Sequence, residues 1–199
     1  MKYLFFGTPE FAAIILEKLI KAGLPPEAVI CNPDKPVGRK QTITPPPVKE
    51  RIMNYELGIR NKIKILQPEN LKSYILNLKS FNADVFIVAA YSQILPKEVL
   101  EIPCLGAIGV HPSLLPKHRG STPIQSAILN GDEKTGVSLF LIDEKVDHGP
   151  IISNEELVMN NEEMTETLSK KLAGLSADLL TETLPKYINN EITPLTQDE

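Results

Sequence analysis

The sequence is poor in the residues that usually announce a chemistry. Among 199 residues it has two cysteines, Cys31 and Cys104, and three histidines, His111, His118 and His148. The cysteines stand in apolar or loop contexts without metal spacing, so they read as two free, buried thiols in a reducing cytoplasm. The histidines form no His-x-x-x-His pair, and Asp143 and Asp147 beside them complete no zinc-ligand pattern, so no metal is expected. No apolar run approaches the ~20 residues of a membrane span. The opening MKYLFFGTPEF has one Lys and an apolar stretch too short for a signal core, broken at once by Gly-Thr-Pro. The expected compartment is the cytoplasm. Also missing are the GxGxxG dinucleotide fingerprint, the Walker loop and the GxSxG nucleophile elbow.

What is present reads as one α/β core. Hydrophobic residues make up 42% and charged residues 23%, which suits a soluble chain able to bury a full core. The formal net charge of -4 argues against indiscriminate nucleic-acid binding and leaves room for a local basic face. KYLFF is a short apolar run before a Gly-Thr-Pro turn, and PEFAAIILEKLIKAG then follows helical spacing. Thr8 is the expected N-cap, Pro9 the first helical residue and Gly23 the stop. EAVIC, KIKIL (62–66), DVFIVAA (84–90), GAIGV (106–110) and GVSLFLI (136–142) read as strands. Helices are expected over 69–81, over 122–129 and along EEMTETLSKKLAGLSADLLTETL near the C-terminus. The alternation predicts a Rossmann-like, doubly wound, largely parallel sheet.

Two features break this rhythm. NPDKPVGRKQTITPPPVK (32–49) is too long and proline-rich for a simple connection, and loops of that length are usually functional or disordered. Residues 35–64 carry eight Lys or Arg against two Glu, a balance of +6, whereas residues 132–199 carry five bases against fifteen acids, a balance of -10. A basic loop on a polarised chain is a candidate surface for an anionic partner.

With metal and nucleophile patterns set aside, an acid–base pair is left. His111 ends one predicted strand, and Asp147 lies in the loop after the next, in DEKVDHGPII. If the two strands are neighbours, their C-terminal ends bring imidazole and carboxylate together, and the carboxylate orients the ring for proton transfer. Spacing alone leaves a second reading open, a loop-capping histidine and an Asx-turn aspartate.

The blocks FFGTPEFA, PDKPVGRKQTITPPPVK, IVAAYSQILPKEVL, HPSLLPKHRGSTPIQSAILNGDEKTGV and VDHGPI span the chain. In order and spacing they resemble the methionyl-tRNA formyltransferases, within the folate-dependent formyltransferase superfamily. The resemblance implies transfer of a formyl group from 10-formyltetrahydrofolate to the amine of an initiator methionyl-tRNA, with no metal. It implies His111 for proton transfer and oxyanion stabilisation, with Asp147 holding it. It implies a folate pocket from Ala90, Tyr91, Ser92, Gln93, Ile94 and Leu95, from Ser113, Leu114, Leu115 and Pro116, and from Asp143, Val146 and His148. Lys35, Arg39 and Lys40 on the Pro-rich loop would contact tRNA phosphates.

The sequence departs from the family pattern Asn-x-His-x-SLLP. It reads Gly109-Val110-His111-Pro112-Ser113-Leu114-Leu115-Pro116, so a glycine stands where the catalytic trio has its Asn. Losing one such donor to a developing oxyanion costs on the order of 10²–10³ in rate. A glycine there leaves a hole that water can fill, or marks the close approach of a neighbour. Ser92 likewise replaces a family Gly. The expected organisation is a catalytic domain over 1–190 and the start of a linker or tail over 191–199, without the C-terminal β-barrel of the family, as a monomer. Two other functions remain open: formyl transfer to a small amine such as an aminosugar nucleotide, and a catalytically weak folate-binding relative.

Overall fold

A computed structural model describes residues 1–160 and 162–198. The chain divides into two units, Met1–Gly106 and Ala107–Glu199.

In the first unit, β1 (Tyr3–Gly7), β2 (Ala28–Ile30), β5 (Lys64–Leu66) and β6 (Val85–Ala89) lie in the order β5-β2-β1-β6, and every pair is parallel. All of β1 and β2 is buried, as unbroken apolar runs require when both faces of a parallel strand are covered. Helix α1 (Glu10–Lys21) buries Ile15, Leu16, Leu19 and Ile20 along one stripe. It starts one residue later than expected, with Pro9 as its cap. The Thr8 hydroxyl accepts instead from the Asn32 N–H, at 3.2 Å. The helix expected over 69–81 is a 3-10 turn, Leu71–Tyr74, followed by a short α4 (Ile75–Lys79).

The Pro-rich stretch is built. It forms an antiparallel hairpin of β3 (Lys35–Val37) and β4 (Thr42–Thr44), and then α2 (Pro47–Met53) with proline at its first position; α3 (Leu57–Arg60) follows. Residues 35–43 are exposed throughout, so no burial stamps an apolar alternation on the hairpin for a sequence reading to find. Its root is pinned. Lys49 Nζ donates to both carboxylate oxygens of Asp34 (2.9 and 2.8 Å) and to Gln67 Oε1 (2.8 Å). The Gln67 amide donates to Asp34 Oδ1 (2.7 Å) and to the Asn32 carbonyl (2.8 Å). The Lys49 ammonium, foremost, holds the Asp34 carboxyl below its ordinary range. A short α5 (Lys97–Leu100) follows β6.

In the second unit, β7 (Ala107–His111), β8 (Lys134–Leu141) and β9 (Ile151–Val158) are ordered β7-β8-β9 with both pairs antiparallel. The expected parallel arrangement therefore describes the strands of residues 1–106, while these three are an antiparallel ribbon. Helix α6 is Pro123–Leu129, and α7 (Thr165–Ile188) buries Leu168, Leu172, Ala173, Leu180 and Leu184. The α/β class holds in both units.

No strand is expected from sequence at β9. Its middle, Asn154-Glu155-Glu156, is exposed and Ile152 alone is fully buried, so the apolar signal of a strand is absent. The segment expected as a linker or tail is tied down at Leu195, which forms an antiparallel bridge with Ile151 (2.7 and 2.8 Å), and at Gln197, which is buried. Of the two thiols, Cys31 is buried, with burial pushing it up to about 12, but Cys104 is exposed, correcting the expectation that both lie inside. Among the described residues no helix is long and apolar enough to cross a membrane.

Candidate active site

In the second unit, β7 carries Gly109 and His111 two residues apart, hence on one face of the strand. His111 is opposite Ser138 of β8 and Gly109 is opposite Phe140. The imidazole is buried, and Nε2 lies 2.9 Å from the carbonyl oxygen of His118. A carbonyl oxygen can only accept, so Nε2 carries a hydrogen. Nδ1 faces Asp147 Oδ2 at 3.5 Å. That oxygen also accepts from the Gly120 N–H at 2.8 Å.

The pair expected from sequence is therefore present, by a different route. β7 and β8 are antiparallel, so their C-terminal ends point apart. The loop 142–150 carries Asp147 back to the end of β7, and Asp147 takes a left-handed backbone (φ +48) to do so. Gly149 is part of the same turn: a Cβ there would lie 1.7 Å from the Leu141 carbonyl oxygen. Nearby, His148 Nδ1 and Asp143 Oδ2 are 2.8 Å apart, and Asp143 Oδ1 accepts from the Lys145 N–H at 2.8 Å. Burial alone would raise the Asp143 carboxyl; the bonds from His148 and Lys145 outweigh it and hold the group low. Val146 is exposed.

His118 serves His111 through its backbone. Its ring turns to Asp132 (Nε2 to Oδ2, 2.6 Å), which also takes Lys117 Nζ (2.8 Å). His118 first and Lys117 second hold the Asp132 carboxyl below its ordinary range.

The turn after His111 is over-determined. Ser113 is fully buried, and its hydroxyl donates to the Lys117 carbonyl at 2.5 Å. The Ser138 hydroxyl donates to the Ser113 carbonyl (2.8 Å) and accepts from the Leu115 N–H (3.0 Å). The Leu115–Pro116 peptide is cis. Leu114 is half-buried, Leu115 buried and Pro116 exposed. Ser138 had no sequence signal, being one small hydroxyl inside an apolar strand.

Gly109 leaves no hole. A Cβ built on it would lie 2.3 Å from Cε1 and 2.5 Å from Cζ of Phe140, whose buried ring fills the space. The Phe140 ring, not a water-filled gap, occupies this space, and the close approach of a neighbour is what the glycine accommodates.

The remaining candidates belong to the first unit. Ala90 is exposed with φ +49, the Ser92 hydroxyl accepts from Asn32 Nδ2 (2.8 Å), and Gln93 Nε2 donates to the Pro68 carbonyl (2.9 Å). Ile94 is 90% exposed while Leu95 is buried. The Tyr91 ring meets Phe6 edge-on at 5.6 Å, and its buried hydroxyl has no partner among the described residues. On the hairpin, Lys35, Arg39 and Lys40 are exposed, and none is in an ion pair among the described residues. Other bases of the +6 stretch are engaged: Lys49 with Asp34, Arg51 with Glu10 and Glu17, and Lys64 over the Phe81 ring at 5.2 Å.

Fold and site together define an α/β protein with a buried histidine–carboxylate pair at the end of a strand. The formyl transferase family matches residues 1–184, and the chain belongs to that family. It is 44% identical to a methionyl-tRNA formyltransferase of Thermodesulfovibrio yellowstonii over 98% of its length, and 46% identical to one of Caldicellulosiruptor saccharolyticus over all of it. In each case the chain spans 62% of the relative's length. Among solved structures it resembles a phosphoribosylglycinamide formyltransferase of Bacillus halodurans, with a TM-score of 0.74 and 24% identity over 96% of this chain and 97% of that one. An N-formyltransferase of Helicobacter canadensis, crystallised with folinic acid and dTDP-3-aminofucose, gives 0.72 and 24% over 100% and 68%. At these identities the structural likeness speaks to the fold alone.

Proposed function

We propose that the chain carries the catalytic part of a methionyl-tRNA formyltransferase, which moves a formyl group from 10-formyltetrahydrofolate to the amino group of methionyl-tRNA. The observation that supports the chemistry is the placement of the two ring nitrogens of His111. Nε2 is committed to a carbonyl, and Nδ1 faces Asp147. A proton leaving an attacking amine can be held at Nδ1, where the carboxylate lies opposite the new positive charge. Asp147 keeps its place through the Gly120 N–H. The identity of 44–46% along the whole chain with proteins of that name supports the acceptor.

The donor supplies an activated one-carbon unit, so no metal is needed for the group transfer. We assign Ser113–Pro116 and Asp143–His148 to its binding, with Ala90–Leu95 as further candidates. The buried, unpartnered Tyr91 hydroxyl suits a polar ligand atom. The pinned turn at Ser113 offers backbone groups rather than its hydroxyl to the pterin edge, because that hydroxyl is already used. Lys35, Arg39 and Lys40 are assigned to phosphate contacts with tRNA. One observation favours a slower enzyme: the Phe140 ring stands where an Asn side chain at position 109 would project.

The test is formyl transfer from 10-formyltetrahydrofolate to methionyl-tRNA, with an aminosugar nucleotide as the competing acceptor. The expected result is transfer to methionyl-tRNA that His111→Ala and Asp147→Ala each nearly abolish. Transfer to the aminosugar nucleotide alone, or folate binding without transfer to either, rejects the reading.

A further inference from the structure

Asp147 takes a left-handed backbone (φ +48), uncommon for a residue other than glycine though tolerated by aspartate, so contacts around the turn help to hold it. Among the described residues its carboxylate accepts one backbone bond, from the Gly120 N–H, which itself sits on a loop. Two loops 27 residues apart in the chain must therefore keep their relative position for that bond to form.

One side chain joins them. The Gln197 amide nitrogen donates to the carbonyl of Asp147 (3.0 Å) and to that of Gly149 (2.8 Å). Its amide oxygen accepts two bonds from the Arg119 guanidinium, at 3.1 Å from Nε and 2.7 Å from Nη2. Both amide hydrogens and both lone pairs are thus used, and the residue is 7% exposed. Arg119 immediately precedes Gly120, so the amide ties the loop carrying the carboxylate to the loop carrying its N–H donor. Gln197 is delivered by the antiparallel bridge of Leu195 to Ile151, at the start of β9 and two residues after Gly149.

We infer that Gln197 is a positioning residue of the active site, bracing Asp147 against His111 through the 119–120 and 147–149 loops. It touches neither His111 nor the Asp147 carboxylate, and its action is geometric. The inference rests on the proposed His111–Asp147 chemistry. It adds a residue from the segment after 190, which is expected from sequence only as the start of a linker or tail.

The discriminating variants are Gln197→Ala and the isosteric Gln197→Glu. Glutamate fills the same volume and still accepts from Arg119, but it points a carboxylate oxygen at two carbonyls and cannot donate. If donation sets the geometry, both variants lower kcat for formyl transfer to methionyl-tRNA by about 10- to 100-fold, the cost of roughly an ångström of misplacement. The KM for 10-formyltetrahydrofolate changes by less than kcat does, because the brace acts first on the reacting geometry. In a His111→Ala background, adding Gln197→Ala changes the residual rate by less than about twofold, since groups acting as one unit are not additive. Hydrogen exchange should show the Gly120 amide losing protection in both variants while the amides of β7 keep theirs. A Gln197→Glu protein with the wild-type rate overturns the inference, as does a full multiplicative loss on top of His111→Ala, or a change in KM alone. Should wild-type protein fail to formylate methionyl-tRNA, or His111→Ala keep the full rate, the functional reading fails separately. Exchange at Gly120 then decides the brace by itself: lost protection supports it and unchanged protection refutes it.

Discussion

Installing an asparagine at Gly109 is the perturbation on which sequence and structure disagree most. By family pattern alone, Gly109→Asn returns a missing donor and speeds the reaction. The structure puts a price on the Cβ first. That atom would sit 2.3 Å from Cε1, 2.5 Å from Cζ and 3.0 Å from Cδ1 of Phe140, where carbon atoms in contact rest about 3.5–4.0 Å apart. Phe140 is directly opposite in the antiparallel pair and only 4% exposed, so its ring has no solvent to swing into. Overpacking of this kind costs about 1–3 kcal/mol, or roughly 2–12 °C of Tm for a chain of this size. The single variant is therefore expected to melt lower and to be no faster. Trimming the obstruction separates packing from chemistry. In Phe140→Leu combined with Gly109→Asn, the new side chain gains room on the face it shares with His111, and the melting penalty of Gly109→Asn should shrink. Formyl transfer should then rise about 10-fold over Phe140→Leu alone, short of the full value of an oxyanion donor where water already substitutes in part. Thermal melts and single-turnover formyl transfer on the four proteins of the cycle read both effects. A Gly109→Asn protein that melts with wild type and transfers faster refutes the packing argument. A double variant no faster than Phe140→Leu refutes the donor argument.

Neutralising Lys35, Arg39 and Lys40 together should weaken tRNA binding and flatten its dependence on salt by about one unit of log–log slope per lost phosphate contact, read from binding isotherms at several salt concentrations. Gly149→Ala should unfold the 142–150 turn, because its Cβ would lie 1.7 Å from the Leu141 carbonyl oxygen, and is expected to destroy formyl transfer and lower the Tm. Asp132→Asn should destabilise near neutral pH, with a loss that vanishes in acid. The folded carboxyl is held below its ordinary range, so its contribution is fully present above the unfolded value near ~3.9 and is lost as pH falls through the lower folded value. The Tm gap between wild type and variant should close as pH falls below about pH 4; a gap that widens there contradicts the assignment.

Much of the fold was legible because burial leaves a trace in sequence. The continuous apolar runs at 3–7, 28–30 and 85–89 mark strands covered on both faces, and α1 and α7 carry their apolar stripes at helical spacing. The hairpin of β3 and β4 and the outer half of β9 were hidden for the converse reason. Their side chains are mostly exposed, their partners are backbone groups, and no periodic pattern is imposed on them. Strand direction was hidden as well, since a run such as 134–141 reads alike whether its neighbour lies parallel or antiparallel.

The same distinction governs the site. His111 and Asp147 could be picked out because residue type and motif spacing name them, but what orients them is mainly backbone: the His118 carbonyl on Nε2 and the Gly120 N–H on the carboxylate. Backbone groups are the same at every residue, so no sequence pattern points to them. The side chains that hold those backbone groups, Ser138 for the turn at Ser113 and Asp132 for the His118 ring, come from positions 14 to 25 residues away and carry no motif of their own. Gly109 is the opposite case. It was visible as a departure from pattern, yet its meaning lay in Phe140, thirty-one residues on, whose ring makes the glycine necessary. A substitution in a catalytic motif is thus interpretable only with its cross-strand partner, and the pair, not the single residue, is the unit whose exchange tests what the site lost.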